Sequence, residues 1–122
     1  ENSVKFLDYV SDEDLPGLYQ NAKCFILISL YEGFGLPVLE AMSYSCPVIV
    51  SNVSSLPEVA GEAGVLVDPE NTEEIASKLL MVLKLSKKER EEMIKKGQEQ
   101  AKKFSWEKCA KETLDVLQKI YV

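Results

Sequence analysis

The sequence predicts an α/β fold, a partial doubly wound parallel sheet of about four strands flanked by helices. Short apolar runs, of which CFILI at 24–28 is the clearest, alternate along the chain with stretches of helical spacing. A continuous apolar run is typical of a parallel strand that is covered on both faces, and the alternation indicates right-handed crossovers. A doubly wound domain usually has about five or six strands. We therefore interpret residues 1–122 as one domain without its first strands.

The predicted strands are short and mostly apolar. They cover residues 4–7 (VKFL), 24–28 (CFILI), 47–50 (PVIV) and 65–67 (VLV). The residues between the third and fourth strands are rich in turn formers and predict a loop and a short helix.

Two helices are predicted between the first three strands. One follows Ser11, because Ser11 and Asp14 have the spacing of a capping box. The other runs from about Pro37 to Tyr44.

Three further helices are predicted after the last strand. Their expected N-caps are Asn71, Ser86 and Ser105. Ser86 and Glu89 form an S-x-x-E capping box, which indicates a helix that continues to about Lys103. The final helix has apolar residues at helical spacing.

The composition excludes several kinds of site. The chain has no histidine, which removes Ser-His and Cys-His nucleophiles and histidine-based metal sites. The three cysteines (Cys24, Cys46 and Cys109) are widely spaced and form no CxxC pair. This spacing favours small buried thiols in a reducing compartment, so we expect a cytoplasmic location.

The charge distribution gives no sign of nucleic-acid binding. The formal net charge is −6, and the only basic residues before position 78 are Lys5 and Lys23. The other basic residues alternate with glutamates in helical stretches, as on a solvated helix face. No apolar run approaches the roughly 20 residues that span a bilayer, and nothing in this segment favours membrane association.

The stretch YEGFGLPVLE at residues 31–40 follows the strand 24–28. In an open parallel sheet, ligands bind at the carboxyl ends of the strands. Glycines let the backbone approach a ligand closely, and Pro37 suits the first position of the next helix. The N–H groups expected to be free are those of Gly35, Leu36 and Val38. With the helix dipole, they predict an anion site.

Two carboxylates, Glu32 and Glu40, flank this anion site. They would repel a phosphate group, but carboxylates readily accept hydrogen bonds from vicinal hydroxyls. The combination predicts a diphosphate held by backbone N–H groups between two hydroxylated rings, which describes a nucleotide-diphosphate sugar. The alternative is a tight connection before a helix, with Glu40 as a solvated acid in the first helical turn that is favoured by the dipole.

These residues resemble those of a known family. The stretch SLYEGFGLPVLEAMSYSCPVIVSNVSSLPEVAGEAGVLVDP is similar to the group 1 retaining glycosyltransferases of GT-B fold, whose signature is two glutamates separated by seven residues, with EGFGLP at its start. The segments VKFLDYVSDEDLPGLYQNAKCFILIS and FSWEKCAKETLDVL also resemble this family. The resemblance covers nearly the whole chain and implies the C-terminal, Rossmann-like domain, which binds the sugar nucleotide.

The resemblance also implies roles for residues. Glu32 would contact the donor sugar hydroxyls near the reacting centre and Glu40 the ribose hydroxyls. The loop Gly33, Phe34, Gly35 and Leu36 would meet the diphosphate and the sugar. Tyr9 and Val10 would lie by the nucleobase. No metal or other cofactor is required, the donor is a UDP- or GDP-sugar, and the leaving phosphate helps to deprotonate the acceptor.

Two features depart from the family pattern. Ile28 stands where a proline is usual before Ser29. The basic pair that neutralises the diphosphate is absent, because neither Lys5 nor Lys23 occupies its place. We expect an excerpt of a longer enzyme that lacks the acceptor domain and is inactive alone. The alternative is a non-catalytic binding or interaction module that associates through its open sheet edge.

Overall fold

In the described part of the chain, three parallel strands form the sheet, and their spatial order follows the sequence, β1–β2–β3. The strands are β1 (Phe25–Leu27), β2 (Val48–Ser51) and β3 (Val65–Val67). In the register, Ile26 lies opposite Ile49. The computed structural model describes residues 3–121 and confirms the predicted parallel α/β architecture.

Helices lie on both faces of the sheet. In the described part of the chain the α-helices are α1 (Leu15–Asn21), α2 (Leu36–Ser43), α3 (Leu56–Ala60), α4 (Thr72–Leu83), α5 (Lys87–Ala101) and α6 (Trp106–Ile120). A single 3₁₀ turn, Gly61–Ala63, joins α3 to β3.

The central strand β2 separates two apolar clusters. Because side chains alternate along a strand, Val48 and Val50 pack on one face with residues of α2 and α3. Ile49 packs on the other face with Val67 and with Val82 of α4. Every residue of β2 is buried, as expected of a parallel strand covered on both faces.

Residues 4–7, predicted as a strand, do not form one. Their side chains are exposed, and Phe6 is 91% exposed. A strand is stabilised by ladder hydrogen bonds and by the surface that it covers. Among residues 3–121 this segment has neither a partner strand nor a covered face, so the apolar pattern alone was not sufficient.

The caps predicted for the last three helices are confirmed. The Asn71 side chain accepts from the Glu74 N–H, and Ser86 and Glu89 form the reciprocal capping box. Ser105 accepts from the Lys108 N–H. These signals are local, which explains why the sequence located them.

The first helix begins at Leu15, later than predicted. Ser11 and Asp14 bond to each other in the turn ahead of it, where the Ser11 hydroxyl donates to the Asp14 carboxylate at 2.8 Å. Pro16 lies in the first turn of the helix, where its missing N–H costs no helical bond.

Helix α6 has no buried residue, although its apolar residues lie at helical spacing. Leu117 is 49% exposed and Ile120 is 71% exposed. None of the described residues covers this apolar face.

Candidate functional site

The loop between β1 and α2 contains most of the predicted site. It leaves the carboxyl end of β1 and ends at Gly35, the N-cap of α2, which has φ 105° and ψ 42°. This left-handed conformation favours glycine. A Cβ at Gly35 would also lie only 2.8 Å from Cδ2 of Leu56. The close contact fixes the start of α2 against the start of α3.

The N-terminus of α2 offers two unpaired N–H groups rather than the three predicted. Among residues 3–121, the N–H groups of Gly35 and Leu36 have no acceptor. The N–H of Val38 donates to the Gly35 carbonyl at 3.0 Å. The helix opens with this tight turn, so the expectation for Val38 was wrong. Pro37 is the second residue of the helix and not the first, as predicted, because α2 begins at Leu36.

Gly33 differs from Gly35. A Cβ at Gly33 would have no atom within 4 Å, so the protein itself leaves room there. Of the two glycines in this loop, Gly33 is therefore the one beside which the described residues leave open space for a ligand.

Glu32 is half-buried, and its carboxylate is oriented within its own loop. The Ser29 hydroxyl donates to Glu32 Oε1 at 2.7 Å. The Glu32 backbone contacts the loop after β2, because its N–H donates to Ser54 Oγ at 3.1 Å. Its carbonyl accepts from the hydroxyls of Ser54 and Ser55, at 2.6 and 3.0 Å. Neutral hydroxyl groups therefore hold this carboxylate and the backbone that carries it.

Glu40 lies in the second turn of α2 and is exposed. The Tyr19 hydroxyl donates to Glu40 Oε2 at 3.2 Å. Tyr19 is buried, with its ring stacked on Tyr44 at 6.2 Å and edge-on to Phe25 at 5.5 Å. Burial, and then the Glu40 charge, raises the pKa of Tyr19 to about 12, so the phenol stays a neutral donor near neutral pH.

Phe34 of the loop and Leu36, the first residue of α2, both have exposed apolar side chains. The Phe34 ring packs edge-to-face on Phe104, with centroids 5.8 Å apart. Its carbonyl accepts from the Ser55 hydroxyl at 2.7 Å. The segment before α6 therefore contacts the candidate site.

Tyr9 and Val10 lie in the N-terminal segment, and Tyr9 is 83% exposed. No hydrogen bond joins either of them to the loop in the part of the chain that the structure describes. Their role beside a nucleobase stays a prediction.

Four residues of the site escaped sequence analysis: Ser29, Ser54, Ser55 and Tyr19. Ser54 and Ser55 stand directly before a Leu-Pro helix start, which is the pattern of an N-cap. Only the fold shows that their hydroxyls bond to a loop more than 20 residues away.

Residues 3–121 contain neither a metal-binding cluster nor a helix that could span a membrane. No cluster of three or more His, Cys, Asp or Glu side chains among them could hold a metal ion. None of the helices formed by these residues is both long enough and apolar enough to cross a bilayer.

Two proteins named mannosyltransferases are similar in sequence to this chain. It is 49% identical over 115 residues to the O-antigen chain mannosyltransferase B of Escherichia coli. The aligned residues cover 94% of this chain and 30% of that protein. It is 37% identical over 114 residues to the MMP alpha-(1->4)-mannosyltransferase of Mycolicibacterium hassiacum, covering 90% and 28%. The chain thus spans about 30% of the length of these relatives.

The fold is also similar to a solved structure. Sucrose-phosphate synthase of Thermosynechococcus elongatus superposes with a TM-score of 0.84 at 29% identity, over 98% of this chain and 31% of that one. A family model described as "Glycosyl transferases group 1" matches residues 1–100. The chain belongs to the group 1 glycosyl transferases.

Proposed function

We propose that this segment supplies the donor-binding part of a retaining glycosyltransferase, which transfers a sugar from a nucleotide-diphosphate sugar to an acceptor. Glu32 contacts the donor sugar hydroxyls beside the reacting centre, and Glu40 binds the ribose hydroxyls. One observation carries the proposal. Neutral hydroxyl donors orient one carboxylate before the N-terminus of α2 and another in its second turn, and between them the N–H groups of Gly35 and Leu36 have no acceptor among residues 3–121.

The backbone of the loop fits a diphosphate better than the side chains do. The N-terminus of a helix attracts anions through its unpaired N–H groups and its dipole. Gly35 and Leu36 supply such N–H groups, and Gly33 leaves open space beside them. The leaving diphosphate then helps to deprotonate the acceptor hydroxyl, and the transfer retains the anomeric configuration without a metal ion.

The names of the relatives suggest mannose as the transferred sugar. Two proteins that match most of this chain, at 49% and 37% identity, are named mannosyltransferases. GDP-mannose is accordingly the first probe, with UDP-glucose as the comparison. Tyr9 and Val10 are proposed to lie beside the base.

The acceptor domain and the cations that neutralise the diphosphate belong to other parts of the enzyme. The segment spans about 30% of the relatives it matches. Helix α6 presents an apolar face that no described residue covers. Both features support a segment that packs against further chain and transfers no sugar alone. Transfer by the isolated 122 residues at the rate of the complete enzyme would contradict this.

Isothermal titration calorimetry tests the donor site in the complete enzyme that carries this segment. GDP-mannose, GDP, UDP-glucose and UDP are titrated into the wild type and into Glu40→Ala. We expect either GDP and GDP-mannose or UDP and UDP-glucose to bind the wild type. Both ligands of that pair should lose about tenfold or more in affinity in the variant, because each contains the ribose that Glu40 is proposed to contact. Glu99→Ala, an exposed glutamate on α5, is the matched control and should bind normally. Unchanged binding by Glu40→Ala would refute the assignment.

A second candidate function is a non-catalytic interaction module. The observations that favour it are the uncovered face of α6 and the outer edges of β1 and β3, which pair with no strand among residues 3–121. Sedimentation that shows a concentration-dependent dimer, together with no binding of any nucleotide, would favour the module over the transferase.

A further inference from the structure

We infer that Ser54 and Ser55 are positioning residues that fix the backbone of Glu32 for the transfer reaction. The inference rests on the proposed function, because Glu32 is the carboxylate proposed to contact the donor sugar. The two serines lie in the loop after β2, whereas Glu32 lies in the loop after β1. Because β1 and β2 are parallel neighbours, both loops lie at the carboxyl ends of the strands.

Four contacts at hydrogen-bond distance join the two loops. The Glu32 N–H donates to Ser54 Oγ at 3.1 Å, and the Ser54 hydroxyl donates back to the Glu32 carbonyl at 2.6 Å. The Ser55 hydroxyl oxygen lies 2.7 Å from the Phe34 carbonyl oxygen and 3.0 Å from that of Glu32, so the two carbonyls share its one proton. Ser54 therefore binds both backbone groups of Glu32, and Ser55 spans the two residues on either side of Gly33.

Each serine has one unusual feature: Ser54 has an unfavourable backbone conformation, and Ser55 has an unusual hydrogen-bond partner. Ser54 has φ 61°, in the left-handed region that non-glycine residues rarely enter. Ser55 is the N-cap of α3, yet its side chain makes no cap bond to that helix. N-cap serines ordinarily bond to the helix that they precede. Here the hydroxyl bonds to the neighbouring loop instead.

The next residue anchors the same contact. Leu56 is fully buried, and its Cδ2 lies where a Cβ at Gly35 would clash. The segment 54–56 thus contacts the β1–α2 loop at Glu32, Phe34 and Gly35. Ser29 orients the Glu32 carboxylate from within the loop. The serine pair sets where that loop lies relative to the sheet.

This arrangement predicts an effect on turnover rather than on donor affinity. A displacement of about 1 Å at a reacting group can cost about 100-fold in rate. The proposed ribose contact of Glu40 is held by Tyr19 and does not involve the serines. Loss of the serine hydroxyls should therefore lower kcat about 10- to 100-fold and leave KM for the donor within about twofold.

The test uses Ser54→Gly and Ser55→Ala in the complete enzyme that carries this segment. Glycine suits the φ of Ser54, so Ser54→Gly removes the hydroxyl without adding backbone strain. Ser55→Thr keeps a hydroxyl at the N-cap and should restore kcat to within about threefold of wild type. Ser77→Ala, an exposed serine on α4, is the control. Transfer from GDP-mannose and UDP-glucose gives kcat and KM separately.

Amide hydrogen exchange gives a readout that does not depend on activity. The Glu32 N–H should exchange about tenfold or more faster in Ser54→Gly and at the wild-type rate in Ser77→Ala. Values of kcat within twofold of the control in both serine variants, or losses confined to KM, would overturn the inference while the donor site stands. If the wild type binds no nucleotide sugar, the proposed function fails and the inference fails with it.

Discussion

Gly35→Ala tests the geometry that opens the candidate site. Gly35 has φ 105°, and a Cβ there would lie 2.8 Å from Cδ2 of Leu56, which is fully buried. The left-handed conformation costs a non-glycine residue about 1–2 kcal/mol, and over-packing a buried site costs about 1–3 kcal/mol. The lower entropy of unfolded alanine offsets about 0.4–1 kcal/mol. We expect the free energy of unfolding to fall by about 1–5 kcal/mol.

Urea unfolding followed by circular dichroism measures this change as a lower midpoint at an unchanged slope. Gly33→Ala is the matched control, because its Cβ would have no neighbour within 4 Å and its φ lies outside the left-handed region. It should change the free energy of unfolding by no more than about 1 kcal/mol, in either direction. Equal losses in the two variants would refute the reasoning from conformation and contact.

Two further predictions concern groups whose pKa the fold shifts. The Tyr19 phenol has its pKa raised from 10 to about 12 by burial and by Glu40, so its contribution to stability is present below about pH 10 and lost as the pH rises through about 12. Wild type should lose more free energy of unfolding across that window than Tyr19→Phe, and equal losses in urea titrations would contradict the assignment. Burial raises the pKa of the Cys46 thiol to about 11, so iodoacetamide at about pH 8 should label exposed Cys109 first. Equal labelling rates by mass spectrometry would show that Cys46 is accessible.

Local signals carried most of the fold prediction. The capping box of Ser86 and Glu89 and the buried run PVIV depend on residues a few positions apart, and both are confirmed. The segment 4–7 also has a strand-like pattern, but a strand needs a partner, and none lies beside it among residues 3–121. Pattern alone could not supply that information.

The site was only partly predictable for the same reason. Glu32, Gly35 and Glu40 lie where the loop motif indicated, around the N-terminus of α2. One hydroxyl group that holds Glu32 is local, since Ser29 lies three residues before it. The others come from Tyr19, 21 residues before Glu40, and from Ser54, 22 residues after Glu32. No short-range pattern links residues so far apart. The expectation that the Val38 N–H is free was wrong, because this N–H donates to the Gly35 carbonyl within the first turn of the helix.

The central claim is that Glu32 stands at the reacting sugar and Glu40 at the ribose. Steady-state transfer by the complete enzyme, compared among wild type, Glu32→Ala and Glu40→Ala, tests it most directly. We predict that Glu32→Ala lowers kcat more than Glu40→Ala does, while Glu40→Ala mainly raises KM for the nucleotide sugar. Equal losses in the two variants, confined to KM, would contradict the account.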